Sequence, residues 1–416
     1  MRALIEFLLA IVITVVILML IGLFLPGGDH GHVERSIIIE RPSSHVFDAL
    51  NSFKRFNEWS PWAKKDQQAS YTFAGPEIGQ GSSMTWQGSQ LAGSGRWEIL
   101  KSTPTSLVKM IQVVENGRTA TIKFDVASSD LGVKVKWSYD TELGNNPIER
   151  VKGQYLDSSV GADFQYGLMR LKAMLESSAY ARDYSDIAIT QENLVAQPGL
   201  KLASLVEVYS AAEQTDLTAG VVESLKTVQA VAESNNLIVT GPAQVTVTLK
   251  ERYRLAFDVV LPVDRTDVPM ANDVVPVETL SGPVLIAEHV GERDKSKVTV
   301  EKMQAYATIK GLLFDPAAKP IIELLPDRPA PLIEGQAAAV PAAAAPAADG
   351  TATVDGAPVE IPMVQVTRIF LPLLSAPMAP MAPMAPVAPS LDGSPQTPSP
   401  AVETPVETLE SVPSNG

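Results

Sequence analysis

The chain has 416 residues, room for two or three domains, and its 33 Lys and Arg against 47 Asp and Glu leave a net charge of -14. That balance argues against a nucleic-acid partner, because phosphate binding needs clustered basic side chains. With no cysteine, disulfides, thiolate nucleophiles and Cys-ligated zinc are excluded.

"LIEFLLAIVITVVILMLIGLFL", Leu4 to Leu25, is apolar except for Glu6. As a helix rising 1.5 Å per residue it would reach about 33 Å, enough to cross a bilayer core. Its exit, "LFLPGGDHGH", lacks the small-x-small pattern of a cleavage site, so residues 1–26 read as an uncleaved transmembrane anchor. Arg2 on the short side favours an inner-membrane protein with its bulk outside the cytoplasm. A Gly-rich hinge at 27–32 follows.

"HVERSIIIERP" reads as a strand ended by Pro42, and "PSSHVFDALNSFKRF" as a helix with Val46, Phe47, Leu50 and Phe53 at helical spacing. His45, at its start, is expected on the surface. Pro61 should interrupt any helix in "RFNEWSPWAKKD", between Trp59 and Trp62. Six strand-like segments come next. In the last two, Ile122, Phe124 and Val126 alternate with Lys123 and Asp125, and Val133, Val135, Trp137 and Tyr139 with Lys134, Lys136 and Ser138. Gly93 and Gly95 are candidate bulge points. A long helical stretch, Pro147 to Ser178, carries Phe164, Leu168, Leu171, Met174 and Leu175 as one apolar stripe.

A strand, short helices, an antiparallel meander and a final helix make an α+β layout. This order, with "RFNEWSPWAKKD", "YTFAGPEIGQGSSMTWQG" and "GSGRWEI", resembles the START-like or SRPBCC superfamily in its polyketide cyclase/dehydrase-like branch, over residues 33–178. The resemblance implies a helix gripping a curved sheet around an apolar cavity for lipidic or aromatic ligands. Trp62, Trp86 and Trp97 are then candidate ligand-binding residues. Each of these indoles can equally fill the core.

Residues 179–199 read as a linker to a second domain at 200–328. Its order, β-α-β-β then β-β-α-β, suggests a pseudo-repeat. Over 185–328, the start at Gly241-Pro242, "DVVLPV" and a lone glutamate in the last strand, Glu323, resemble the GyrI-like effector-binding domain. Leu324 stands where that family has an aromatic residue. The resemblance implies that Glu323 meets a cationic amphipathic ligand at the pocket centre. On the residues alone, Glu323 can equally face solvent or pair with Lys319 or Arg328.

From residue 329 the chain reads as a disordered Pro/Ala-rich tail. Within it, "APMAPMAPMAPVAP" has the three-residue period of polyproline II, which would align Met378, Met381, Met384 and Val387. "MVQVTRIFLPLL", Met363 to Leu374, is strand-like. It can join a sheet edge of this chain or a partner, or remain an unstructured apolar run.

His30 and His32 fall in the expected hinge, a poor metal cage, and no nucleophile elbow, zinc-helix or phosphate-loop motif is present. The expectation is a membrane-anchored binding protein for hydrophobic or amphipathic small molecules, with no cofactor and no metal. A cyclase-like or hydrolase-like enzyme using carboxylate or tyrosine groups, and an envelope scaffold whose tail meets a protein partner, stay open as alternatives.

Overall fold

The computed structural model describes residues 2–24, 30–89, 93–114, 117–144, 150, 153–207, 213–251, 253–269, 271–329, 351–354, 357–360 and 363–374. Helix α1 (Arg2–Phe24) takes up the N-terminal apolar run. Its described side chains are those of Leu4 to Ile17, and among the described residues no helix is long and apolar enough to cross a membrane. Residues 27–29 of the expected hinge and the Met-Ala-Pro repeat lie outside the described residues.

The first sheet contains β1 (His30–Ile39), β2 (Ser70–Ala74), β3 (Ser83–Gln87), β4 (Ser94–Thr103), β5 (Leu107–Val114), β6 (Thr119–Ser129) and β7 (Gly132–Glu142). Their order is β1-β7-β6-β5-β4-β3-β2, antiparallel throughout. The alternation seen in the sequence sets the register, since Ile122, Phe124 and Val126 lie opposite Tyr139, Trp137 and Val135. These residues share the inner face because side chains on a strand alternate sides. The register shift in β4 falls between Ile99 and Lys101, not at Gly93 or Gly95. Gly95 instead makes room for the Trp86 ring, which a Cβ there would strike. His30 and His32 belong to β1 rather than to a hinge, and His32 Nδ1 lies 2.7 Å from Asp140 Oδ1.

Three short helices, α2 (Ser43–Leu50), α3 (Phe56–Trp59) and α4 (Trp62–Lys65), cross one end of this sheet, and α5 (Leu156–Glu176) runs along it. Pro61 separates α3 from α4, as its missing N–H and fixed φ require. The α5 stripe of Phe164, Leu168, Leu171 and Leu175 is fully buried. Gly167 lets α5 approach closely: a Cβ there would sit 3.0 Å from the Trp137 ring and 3.1 Å from Pro61.

The second sheet uses β8 (Ile189–Leu194), β9 (Pro198–Glu207), β10 (Gln244–Lys250), β11 (Arg254–Pro262), β12 (Val275–Glu278), β13 (Gly282–Val290), β14 (Ile321–Pro329) and, past the separate hairpin of β15 (Thr351–Val354) and β16 (Ala357–Glu360), β17 (Met363–Pro372). Helices α6 (Glu213–Ser234) and α7 (Ser296–Lys310) follow β9 and β13. The strand order, β12-β9-β11-β10-β14-β17-β13-β8, reads as two mirrored halves. One half is β9-α6-β10-β11 and the other β13-α7-β14-β17. The strand preceding each half pairs with the first strand of the other, β8 with β13 and β12 with β9.

This arrangement moves two of the boundaries read from the sequence. The stretch at 179–199 is not a bare linker, because β8 lies within it and Tyr184 is buried. The second sheet does not end at residue 328. Met363 to Pro372, expected at a sheet edge or unstructured within a disordered tail, is an interior strand paired with β13 on one side and β14 on the other. Its Val366, Ile369, Phe370 and Leu371 are buried, which accounts for the stickiness of the run.

Helix α7 serves both sheets. Ala305 and Ile309 join the first core, while Met303 and Ala307 pack with Leu285, Ile369 and Leu371 in the second.

Candidate functional site

Two cavities are built from these elements. The first, about 330 Å³, lies between the start of α5 and strands β5, β6 and β7. Val114, Ala120, Leu143, Leu156 and Val160 give it apolar walls, and Gln112, Arg118, Tyr139 and Thr141 add polar groups. Burial pushes the Tyr139 phenol up, opposed by a hydrogen bond with Thr141 and by the Arg118 charge, so it is a neutral hydroxyl at ordinary pH. Among the described residues, neither a carboxylate nor an imidazole lines this cavity.

Beyond Tyr139 the space between sheet and helix is full. Trp137 stacks on Phe164 with centroids 4.0 Å apart and planes 11° from parallel. Trp59 meets Trp137 edge-on at 5.7 Å, and Trp62 meets Trp97 at 5.2 Å and Trp137 at 5.9 Å. Edge-to-face and offset packing of this kind satisfies the ring quadrupoles and fills volume densely. The helix break at Pro61 therefore turns both indoles inward. Trp59 and Trp97 are buried, and Trp62 is half-buried against the same cluster. Trp86 is half-buried over Gly95. None of the candidate tryptophans Trp62, Trp86 and Trp97 is among the residues lining either cavity.

The second cavity is a cleft of about 1210 Å³ lined by residues of β8, β13, β14 and β17 and by Val298, Thr299 and Lys302 of α7. Glu323 lies on its floor, only 6% exposed. It is neither solvated nor paired with Lys319 or Arg328. Glu323 Oε1 accepts from Gln244 Nε2 at 3.2 Å, and Oε2 accepts from Arg368 Nη1 at 3.2 Å. The three residues are directly opposite one another on β10, β14 and β17. Arg368 also approaches Glu288, with 3.7 Å between Nη2 and Oε1, and Arg328 donates to Glu288 at 3.0 Å. A carboxylate matched in this way lacks the unbalanced charge that a cationic ligand would answer. Ile286 and Phe370 give the same floor an apolar part.

His289 borders the cleft, yet both its nitrogens are occupied, Nδ1 by Thr299 Oγ1 and Nε2 by the carbonyl of Glu292, each at 2.9 Å. Its role is to tie β13 to α7. His45, expected on the surface, is fully buried and stacks on Tyr184 at 4.9 Å. Among the described residues no group of three or more His, Asp or Glu side chains could hold a metal.

Sequence reasoning missed Arg368, Gln244, Arg118 and Tyr139 as lining residues. For Tyr139 the signal was available, since it belongs to the inward set of β7. For Arg368 it was not, because the partner strand of β14 begins beyond a long Ala/Pro-rich insertion.

Residues 30–176 match the family described as polyketide cyclase / dehydrase and lipid transport. They form a domain of that type, in agreement with the helix-over-sheet topology and with the resemblance noted over 33–178. No curated protein matches the chain. Similar solved structures include protein CV1439 from Chromobacterium violaceum, at 11% identity, covering 36% of this chain and 99% of the other, with a TM-score of 0.28. The Aha1 dimer from Colwellia psychrerythraea gives 14% identity over 36% and 98% of the two chains, with a TM-score of 0.27. Ara h 8.0201 gives 14% over 36% and 99%, with a TM-score of 0.29. Nothing among these findings supports a GyrI-like assignment for the second sheet.

Proposed function

We propose that this chain is a membrane-anchored binding protein whose polyketide cyclase/dehydrase-type domain holds one small hydrophobic or aromatic molecule. The observation that carries this reading is the cavity beneath α5, with apolar walls and a volume of about 330 Å³. That size lies at the lower end of small-molecule pockets, roughly 300 to 1,000 Å³, which suits a single ring system or a medium-length chain. The aromatic cluster around Trp137 sets the inner limit. Burying roughly 200 Å² of apolar ligand surface at about 25 cal/mol per Å² contributes about 5 kcal/mol before ordering costs. We favour binding over turnover, because among the described residues the lining carries no carboxylate or imidazole to pair with Tyr139 as acid and base.

Helix α1 would supply the anchor, with residues 1–26 in the membrane and the two sheet domains on one side of it. The cleft around Glu323 would be a second, separate ligand site, answering a molecule through the Glu323–Arg368 pair and the apolar Phe370.

Extraction of the detergent-purified full chain with organic solvent, followed by mass spectrometry, tests the first site. The expected result is a co-purifying hydrophobic or aromatic compound. Substitution of Val160 by Trp, which fills the cavity, should abolish its recovery. An identical extract from both forms, or no compound from either, would overturn the reading.

A further inference from the structure

The cavity beneath α5 lies at one end of the first domain, and the path of the chain ties that end to α1. We infer that this end meets the bilayer that holds α1, and that the cavity takes up an amphiphile dissolved in that membrane. This rests on the anchoring and binding readings above, and adds to them an orientation and a source for the ligand.

Three observations carry the inference. First, the tether is short. β1 begins at His30, six positions after Phe24, where α1 ends. Six extended residues reach at most about 22 Å. The start of β1 is therefore held near the anchor, whereas its far end lies ten residues, or about 33 Å, further along the strand.

Second, the start of β1 adjoins the cavity wall. A Cβ on Gly31 would strike Leu156, and would lie 3.2 Å from Thr141 and 3.7 Å from Leu143. All three line the cavity. Gly31 is paired with Thr141 near the close of β7, and the same end of the sheet supplies Val114, Thr119 and Ala120 to the lining.

Third, the opposite end is occupied by the second sheet. Helix α2 follows the far end of β1, and Asn51, just after α2, accepts from Ser102 near the close of β4. Lys310 of α7 reaches Asp48 of α2 there at 3.1 Å. The near end instead presents Val113 and Tyr155, 37% and 67% exposed, and Tyr155 directly precedes the lining residue Leu156. A tyrosine, with an apolar ring and a polar tip, suits the headgroup boundary of a bilayer. Uptake at that boundary also spares the ligand a passage through water, where its apolar surface is least favoured.

Photo-crosslinking of the full chain in phosphatidylcholine vesicles tests this with two probes. One is a phosphatidylcholine with a diazirine in one acyl chain, and the other is decanol with a diazirine in mid-chain. Peptide mass spectrometry should find the phospholipid probe on α1 and Tyr155, and the decanol probe also on the lining residues Leu156 and Ala120. Leu131, exposed in the turn at the opposite end, should carry severalfold less of either. Val160→Trp, which fills the cavity, should remove the decanol adducts on Ala120 and keep the phospholipid adducts on Tyr155. Adducts on α1 with none on Tyr155, or equal labelling of Tyr155 and Leu131, would overturn the inference and leave the anchor in place. Tyr155 adducts without any on the lining, or Ala120 adducts that survive Val160→Trp, would overturn uptake by the cavity and leave the membrane contact. An unlabelled α1 would remove the anchoring reading, and this inference with it.

Discussion

At His45, burial and hydrogen bonding fix a protonation state. Its Nε2 lies 2.8 Å from the carbonyl of Arg182, so that nitrogen carries the proton, and the buried Nδ1 has no partner. Desolvation lowers the imidazole pKa, against the opposing pull of Asp183 and Asp48. The unfolded chain, with an ordinary value near 6.5, thus takes up a proton more readily than the folded one. His45 contributes its full stability above that value and loses it progressively as pH falls toward the lowered folded value. Thermal unfolding followed from pH 7.5 down to 5 should show a steeper loss for the wild type than for His45→Gln, and equal slopes would refute the assignment. Glu323 gives a second case at this scale. Arg368→Gln leaves its carboxylate, 8% exposed, with only the amide of Gln244. Because Arg368 is itself 37% exposed, the cost is discounted from that of a fully buried pair to about 1–2 kcal/mol. Adding Glu323→Gln to Arg368→Gln should recover most of it, since a neutral amide no longer needs a cation. Urea unfolding of the two single variants and the double variant measures this coupling, and additive losses would argue against it.

Among the elements, β17 has the largest consequence. It occupies the middle of one half of the second sheet, so removing it exposes two strand edges and its own buried Val366, Ile369, Phe370 and Leu371 sites. At about 1.5–3 kcal/mol per buried side chain, the loss is of order 6–12 kcal/mol, comparable to the whole stability of a domain. A chain truncated before Met363 should lose the second sheet, seen as rapid proteolysis within 189–329 and binding of an apolar dye. Truncation after Leu374 should leave both measures unchanged. The same strand marks the limit of what the sequence could convey. The first sheet was legible because β6 and β7 each carry a clean two-residue alternation and neighbouring strands pair in order. The stripe on α5 was legible for a similar reason, with Phe164, Leu168, Leu171 and Leu175 at helical spacing. Strand β17 has the composition of a strand but pairs across an insertion, and no local pattern records a partner so far away. The candidate sites divide in the same way. The tryptophans were recognisable as large apolar groups, yet whether an indole lines a cavity or fills it depends on register and on where Pro61 turns the chain. Arg368, the partner of Glu323, could not be paired with it before β17 was placed.

At the scale of the molecule, α7 packs into the cores of both sheets. Ala305 and Ile309 are buried in the first core, and the last turn of α7 is held by residues of the first domain. Arg55 Nη1 donates to the carbonyl of Thr308 at 2.8 Å, a second donor to a carbonyl that the N–H of the C-cap Gly311 also reaches. Lys310 Nζ lies 3.1 Å from Asp48 Oδ2, with side chains 9% and 17% exposed, and the Tyr184 hydroxyl donates to the same carboxylate at 3.0 Å. Tyr184 meets Tyr306 edge-on at 5.3 Å, so the segment leading into β8 is clamped between α2 and α7. These contacts are mostly shielded from water, where a pair responds weakly to salt and strongly to the loss of one member. Lys310→Met should therefore cost about 2 kcal/mol, less than a fully buried pair because Asp48 keeps Tyr184. Differential scanning calorimetry should show the two sheets of the wild type melting in one transition and those of Lys310→Met in two, the second sheet melting first once α7 loses its hold on the first. Two separate transitions in the wild type would mean that α7 packs against both cores without linking their stabilities, and that a ligand in either cavity acts on its own domain alone.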